Sequence, residues 1–295
     1  MGEHNAIDAY SLLMLSLAGT LIVSLAIGSF LNVVIYRLPL SMFAQWKAEC
    51  KEFLNDHPDN GNEVDTQFNI AFPSSHCPSC KAPIRAWQNI PVFSYLILKG
   101  RCHSCNTSIS IRYPIVEMVT GILSVFCIFS LGLNESGGFA LLFTWCLIAL
   151  TMIDIDHQLL PDSITLPLMW GGIVVNSFGI FTDIHSAVYG AIAGYLVLWC
   201  VFWLFKLITG KEGMGFGDFK LLAALGAWMG WQMLPLIIIL SSFVGAVIGI
   251  AGIVIAGRDK NVPIPFGPYL AIAGWMAFFW GESITEIYLS YAKIS

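Results

Sequence analysis

Charge is what this chain lacks. Asp, Glu, Lys and Arg together make up 11% of its 295 residues, whereas hydrophobic residues make up 57%. A soluble globular domain carries roughly twice that share of charge, so a water-soluble fold is excluded. Other absences narrow the chemistry. There is no Gly-x-Ser-x-Gly elbow, no His-Glu-x-x-His zinc helix and no Gly-x-x-x-x-Gly-Lys phosphate loop. No basic patch interleaved with aromatics suggests nucleic acid. The alternating glycines at 213–217 match a dinucleotide loop only in spacing, because no soluble strand–turn–helix unit surrounds them. Basic residues are missing ahead of the first apolar run, where Glu3 and Asp8 stand instead. That run exceeds a signal peptide's core and is expected to remain as an anchor.

What the chain has is a series of apolar runs long enough to cross a bilayer as helix, which takes about 20 residues. They fall near 11–36, 113–132, 138–153, 163–182, 187–207, 219–234, 235–256 and 267–290. The expected fold is an all-α polytopic membrane protein of about eight transmembrane helices, with the split at Pro235 the least firmly marked. Basic residues collect on the cytoplasmic side of a membrane. With the amino terminus outside, Arg37, Lys47, Lys51, Lys81, Arg85, Lys99, Arg101, Arg112, Lys206, Lys211, Lys220, Arg258 and Lys260 all fall inside, and Lys293 alone falls outside.

Three parts are expected: a first transmembrane helix at 1–39, a cytoplasmic domain at 40–112, and a helical bundle at 113–295. Arg37 can reach the headgroups and Pro39 is expected to stop the first helix. Asn32, within the apolar stretch, is expected to hydrogen-bond a neighbouring helix. Residues 41–70 carry Glu49, Glu52, Asp56, Asp59, Glu63 and Asp65. They read as a solvated loop or short amphipathic helix, or as an acidic collar for a basic substrate. Glu117, a turn inside the second run, either pairs with a base such as Arg112 or lines a cavity.

Two knuckles, Cys77-Pro-Ser-Cys80 and Cys102-His-Ser-Cys105, make a strong zinc signature, although their spacer is slightly long. Four thiolates satisfy zinc's tetrahedral preference, and so small a segment has little core of its own. A structural disulfide pair is disfavoured in a reducing cytoplasm, and a redox dithiol is the other alternative. His76 and His103 adjoin the knuckles and read as neighbours of the site. Cys127, Cys146 and Cys200 read as small buried hydrophobes.

Two acids stand at ends of apolar runs, where a buried carboxylate is costly and functional by default. One lies in Met152-Ile-Asp154-Ile-Asp156-His-Gln-Leu-Leu-Pro161-Asp162, the other in Gly213-Met-Gly215-Phe-Gly217-Asp218-Phe-Lys220. Glycines let another chain approach closely. If helix packing brings Asp154 and Asp218 together, they share one proton and can act as acid and base on a peptide bond, without metal. Asp156, on a different helix face, competes with Asp154 for the first place. Asp162 reads as a helix cap. Lys220 either raises the local positive potential or binds headgroups.

At these residues the chain resembles the bacterial type IV prepilin peptidases, GxGD-type aspartic proteases of pilus and type II secretion systems. The resemblance covers nearly the whole chain. It includes Gly28-Ser-Phe-Leu-Asn-Val-Val-Ile-Tyr-Arg-Leu-Pro39, the double knuckle with Asn89-Ile-Pro91 between its halves, and Ile111-Arg-Tyr-Pro-Ile-Val-Glu117. It continues through the Asp154 segment, Gly215-Phe-Gly-Asp218-Phe-Lys220, and Pro265-Phe-Gly-Pro-Tyr269. It implies Asp154, seven residues before the proline of its Leu-Pro motif, as the first catalytic aspartate and Asp218 as the second, with Gly215, Gly217 and Lys220 in support. It further implies removal of basic leaders from prepilins and pseudopilins at the cytoplasmic face of the inner membrane. Because all four cysteines are retained, it also implies N-methylation of the new amino terminus with S-adenosylmethionine. It places no residue at the methyl-donor site and leaves the oligomeric state open. Rival readings are an intramembrane protease of signal-peptide-peptidase type, an ion-coupled transporter, and a membrane scaffold with a zinc module.

Overall fold

The computed structural model describes residues 2–54, 75–254, 257 and 264–292, with side chains from Ser11 onward apart from Ala86, Ile253 and Ala292. The positions Asp56, Asp59, Glu63, Asp65, Arg258, Lys260 and Lys293 named above lie outside the described residues. The described chain is helical: α1 (Gly2–Phe53), a short α2 (Phe93–Ile97), α3 (Arg112–Leu131), α4 (Glu135–His157), α5 (Asp162–Ser177), α6 (Ile184–Thr209), α7 (Phe216–Met229), α8 (Leu234–Val254) and α9 (Gly267–Ala292). Short 3-10 turns at Ala86–Asn89 and Trp231–Met233 and isolated bridges at the cysteine knuckles are the other elements among the described residues. The chain divides into two compact units, Met1–Trp145 and Cys146–Ser295, with the cut falling inside α4.

Every expected apolar run overlaps a helix, but five of these helices are long and apolar enough to cross a membrane among the described residues. They are Ser11–Phe53, Arg112–Leu131, Glu135–His157, Ile184–Thr209 and Trp231–Gly252. The expected eight therefore shrink for physical reasons. With 16 and 14 residues, α5 and α7 reach roughly 24 and 21 Å, short of a hydrocarbon core about 30 Å thick. α9 is long enough, yet it carries Glu282 and Glu286 in its second half. In α6 and α8 only 22% of the apolar window is buried against protein, so most of it needs lipid.

Pro39 does not stop α1, which continues to Phe53 and takes up the first part of the expected 41–70 loop. A mid-helix proline removes one backbone bond and kinks the helix. Beyond it, Ser41 bonds back to the Leu38 carbonyl, and Gln45 reaches Glu49 one turn on. The helix-forming Gln45–Glu52 stretch carries the helix onward. The prolines of α3, α8 and α9 sit in first turns, where no amide is missed.

In the first unit α1 lies along α3. A Cβ on Gly28 would come within 2.8 Å of Glu117 Cα, so the two backbones nearly touch there. Asn32 donates to the Tyr113 carbonyl of α3 at 3.1 Å, the interhelical bond expected of it. Cys127 is fully buried and contacts Thr144 Oγ1 at 3.3 Å. Cys200, by contrast, is exposed on α6, because that helix turns much of its surface away from the protein.

The second unit is built around α7. Phe219, Leu221, Leu222, Ala223, Ala224, Leu225, Ala227 and Trp228 are all fully or almost fully buried, as befits a helix that is apolar on every side. Small residues allow that enclosure. Gly190 of α6 and Gly226 of α7 meet with each backbone against the other, and Gly194 lies on the Leu222 carbonyl. Gly172 of α5 lies against the Trp228 indole, whose Nε1 donates to the Leu168 carbonyl at 2.7 Å. At the far end Asn176 donates to the Ala227 and Trp228 carbonyls in the last turn of α7, where helix carbonyls run short of amide partners, and accepts the Phe181 and Thr182 amides.

Replacing Gly190 or Gly226 by Ala is expected to wedge α6 from α7 and to cost about 1–3 kcal/mol by overpacking. A fall in the melting temperature of detergent-purified protein is the expected outcome. An unchanged transition would show that the two backbones are not in contact.

Candidate active site and cysteine cluster

Asp154 stands one turn before the end of α4, and Asp218 in the first turn of α7. Both are buried, at 5% and 6% exposure, whereas Asp156 is exposed. That contrast follows from the helix: positions two apart point to different faces.

Local chemistry positions each acid. The Gln158 amide donates to the Asp154 carbonyl while Gln158 takes φ +51°, a left-handed exit that ends α4. Leu159 and Leu160 follow, and Pro161 caps α5. Gly215 caps α7 in an extended conformation (φ −83°, ψ 153°), and its carbonyl accepts the Asp218 amide at 3.3 Å. The start of a helix favours a negative charge in its first turn.

A third segment completes the arrangement. The Gly267 amide, at the start of α9, donates to Asp154 Oδ2 at 3.0 Å. Leu160 fills the space between Gly217 and Gly267, since a Cβ on either glycine would meet it within 3.2 Å. The segments that carry Asp154 and Asp218 thereby meet through Leu160, which touches both Gly217 and Gly267. Gly213 lies on the Phe205 ring near the end of α6.

Lys220 does not stand free. Its Nζ bonds both Asp162 oxygens at 2.7 Å, tying the start of α5 to that of α7. Asp162 is thus the first residue of α5 and an ion-pair partner, not its cap; Pro161 holds that place. A cavity of about 510 Å³ lies among α6, α8 and the start of α9. Its lining is apolar apart from Ser242 and Tyr269, and it includes Met214 and Phe266, the residues just before Gly215 and Gly267.

In the first unit the two knuckles repeat one another. Cys77 N bonds Ala82 O as Cys102 N bonds Thr107 O; Lys81 N bonds Cys77 O as Asn106 N bonds Cys102 O. Lys81 and Asn106 both take φ +58°. The four sulfurs lie within 4.8 Å of one another, with Cys77 and Cys105 at 3.8 Å. Thiolates placed about 2.3 Å from a central ion form a tetrahedron with edges of roughly 3.8 Å, so the donor set and its spacing fit a metal. Hydrogen bonds from Thr107 pull Cys105 down to about 6, towards the thiolate that a metal requires. His76 and His103 stay outside this group of sulfurs.

Glu117 has a partner from another segment. It is buried and accepts the Val92 amide at 2.8 Å, fastening the segment between the knuckles to α3. Val92 takes φ +59°, which is costly for a β-branched side chain. Two site residues, Leu160 and Gly267, had no role in the sequence reading. The signal for Gly267 was present in Pro265-Phe-Gly-Pro-Tyr269, but a backbone amide leaves no chemical mark on a sequence.

Two family models divide the chain between them. The Bacterial Peptidase A24 N-terminal domain matches residues 22–131, and the Type IV leader peptidase family matches residues 141–250. Curated proteins match over nearly the full length. The prepilin leader peptidase/N-methyltransferase of Stutzerimonas stutzeri is 53% identical over 274 residues, 93% of this chain and 94% of the relative. The chain belongs to the type IV leader peptidase family. Relatives of the same name from Pseudomonas aeruginosa (52% identical, covering 92% of this chain and 93% of theirs) and Aeromonas hydrophila (55%, 90% and 91%) agree. No solved structure matches it.

Glu117→Ala is expected to leave the Val92 amide without its partner, a loss of about 1–3 kcal/mol, and to expose the 75–110 segment to limited proteolysis. Glu117→Gln should protect it in part. Equal protease resistance in wild type and Glu117→Ala would remove the tether from the account.

Proposed function

We propose that the protein is a membrane aspartic endopeptidase that removes the leader of type IV prepilins and pseudopilins and then N-methylates the residue so exposed. The observation that carries the reading is the burial of Asp154 and Asp218 at the ends of two helices, with Gly217, Leu160 and Gly267 packed between their segments. Two carboxylates held close cannot both ionise easily, so the pair keeps one proton. The ionised member takes a proton from water as it attacks the scissile carbonyl. The protonated member gives its proton to the developing oxyanion, and collapse of the tetrahedral adduct returns a proton to the leaving amine. The pair titrates as a unit, and acid and base are not assigned to individual residues.

A helical substrate has its carbonyls bonded internally and must unwind before attack. Gly215 is extended, and the nearest atom that a Cβ there would meet is Asp218 Oδ2 at 3.8 Å, so the open side at Gly215 suits an extended stretch of substrate. In this reading Gly215, Gly217 and Lys220 support the site, Lys220 by fixing the start of α7 through Asp162. The apolar cavity suits an apolar part of the substrate, because it lacks the charged side chains that a zwitterionic methyl donor would require. S-adenosylmethionine supplies the methyl group, and no residue is assigned to it.

The cysteine cluster, within the 40–112 module, holds zinc through Cys77, Cys80, Cys102 and Cys105; the metal there is structural, since four protein thiolates leave no open position. The bundle at 113–295 carries the protease. The distribution of basic residues supports an orientation with the amino terminus in the periplasm and both acids at the cytoplasmic face of the inner membrane. Carboxylates at helix ends fit this chemistry better than mid-bilayer ion transport.

Asp154→Asn and Asp218→Asn are each expected to lower prepilin cleavage by at least about 100-fold; near-normal turnover in either sinks the paired-acid reading. Purified protein is expected to hold one zinc per chain by elemental analysis. Cys80→Ser and Cys102→Ser should lose most of it, and wild type without metal refutes the zinc site. Labelled S-adenosylmethionine should mark the mature product, and an unlabelled product removes the second activity.

A further inference from the structure

The motif Pro265-Phe-Gly-Pro-Tyr269 has no part in the mechanism above, yet it meets one of its two acids. α9 begins at Gly267, and the Phe266 carbonyl accepts the Tyr269 and Leu270 amides at 3.1 Å. Pro268 has no amide at all. In this first turn, then, the Gly267 amide is left over from the helix's own bonding, and it donates to Asp154 Oδ2 at 3.0 Å. It also stands at the positive end of a 26-residue helix.

Space is as tightly set as polarity. A Cβ on residue 267 would lie 2.7 Å from Asp154 Oδ2, 3.1 Å from its Cγ and 3.2 Å from Leu160 Cδ1. Real Cβ atoms do not approach so closely, so any side chain there must displace the carboxylate. Two prolines flank the glycine and restrict the backbone that presents the amide.

We infer that Gly267 is a positioning residue for the proteolytic reaction, its amide fixing the orientation of Asp154 and the pH range over which the two acids hold a single proton. The inference rests on the reading of Asp154 as catalytic. A donor to a carboxylate favours its ionised form, so removing that donor moves the pair's titration to higher pH. Other titratable or charged groups nearby in the chain are Asp218 on α7, Asp162 in its pair with Lys220, Asp156 and His157 on α4, and Tyr269 on α9. All of them are kept in the variants below.

The test uses the full-length enzyme in lipid and a prepilin substrate. Gly267→Ala is expected to lower kcat about 100-fold, the effect of an ångström-scale misplacement, with KM within about threefold because substrate contacts are kept. The acid limb of kcat/KM against pH should rise by about one unit, the equivalent of one lost hydrogen bond to a charged group. If Gly267→Ala fails to fold, Gly267→Ala with Leu160→Ala makes room for the methyl group while leaving it against the carboxylate, and the same shift is expected. Leu160→Ala alone should lower the melting temperature and leave the acid limb in place. A wild-type acid limb in the folded Gly267 variant, or an equal shift in Leu160→Ala alone, overturns the inference. Wild type that does not cleave prepilin at all overturns the functional reading instead.

Discussion

The close approach of helix backbones around α7 is the constraint from which the rest of the second unit follows. A helix buried on every side has room for neighbours only where side chains are small, and the contacts at Gly190, Gly226, Gly194 and Gly172 are all of this kind. With little hydrophobic drive between helices in lipid, such contacts gain their stability from van der Waals packing and from few, well-placed polar bonds. Asn176 and Trp228 supply the polar bonds at one end. At the other end the helix delivers Asp218 to a place that water scarcely reaches. A rigid, enclosed helix holds that carboxylate in a fixed place.

The first unit solves a different problem. Its cysteine segment has two matching turns but few buried apolar residues, so it has little of its own to fold around. Four sulfurs within 4.8 Å of one another give it a centre, and the Val92–Glu117 bond gives it an attachment to a membrane helix. Glu117 is costly where it lies, and the amide it accepts compensates for that burial. The positive φ of Val92 makes sense in the same way: the backbone is turned so that its amide meets the carboxylate.

Much of this could be read in the sequence, and for specific reasons. Apolar runs marked all of the long helices, because lipid allows few other ways to satisfy a backbone. Asn32 was legible as an interhelical bond, since a lone amide in an apolar stretch needs a partner. The knuckles were legible from spacing alone. Where the reading failed, local competition had decided some outcomes and long-range contacts others. Pro39 lies inside α1 because the residues beyond it favour helix; Asp162 lost its capping role to Pro161 and gained Lys220, which is distant in sequence. Five helices meet the length and apolarity of a span where eight were expected, since apolar composition marks a buried helix as well as a spanning one.

The sequence by itself determined the solvent this protein folds in, the chemical groups available to it and the family to which it belongs. These depend on composition and on spacing along the chain, which are local properties. Only the tertiary structure decided that Asp154 and not Asp156 is buried, that Leu160 fills the gap between two glycines, and that the amide of Gly267 reaches a carboxylate on another helix. Backbone amides are the same at every residue but proline, so nothing in a string of letters says which one will meet an acid. Packing alone makes that choice.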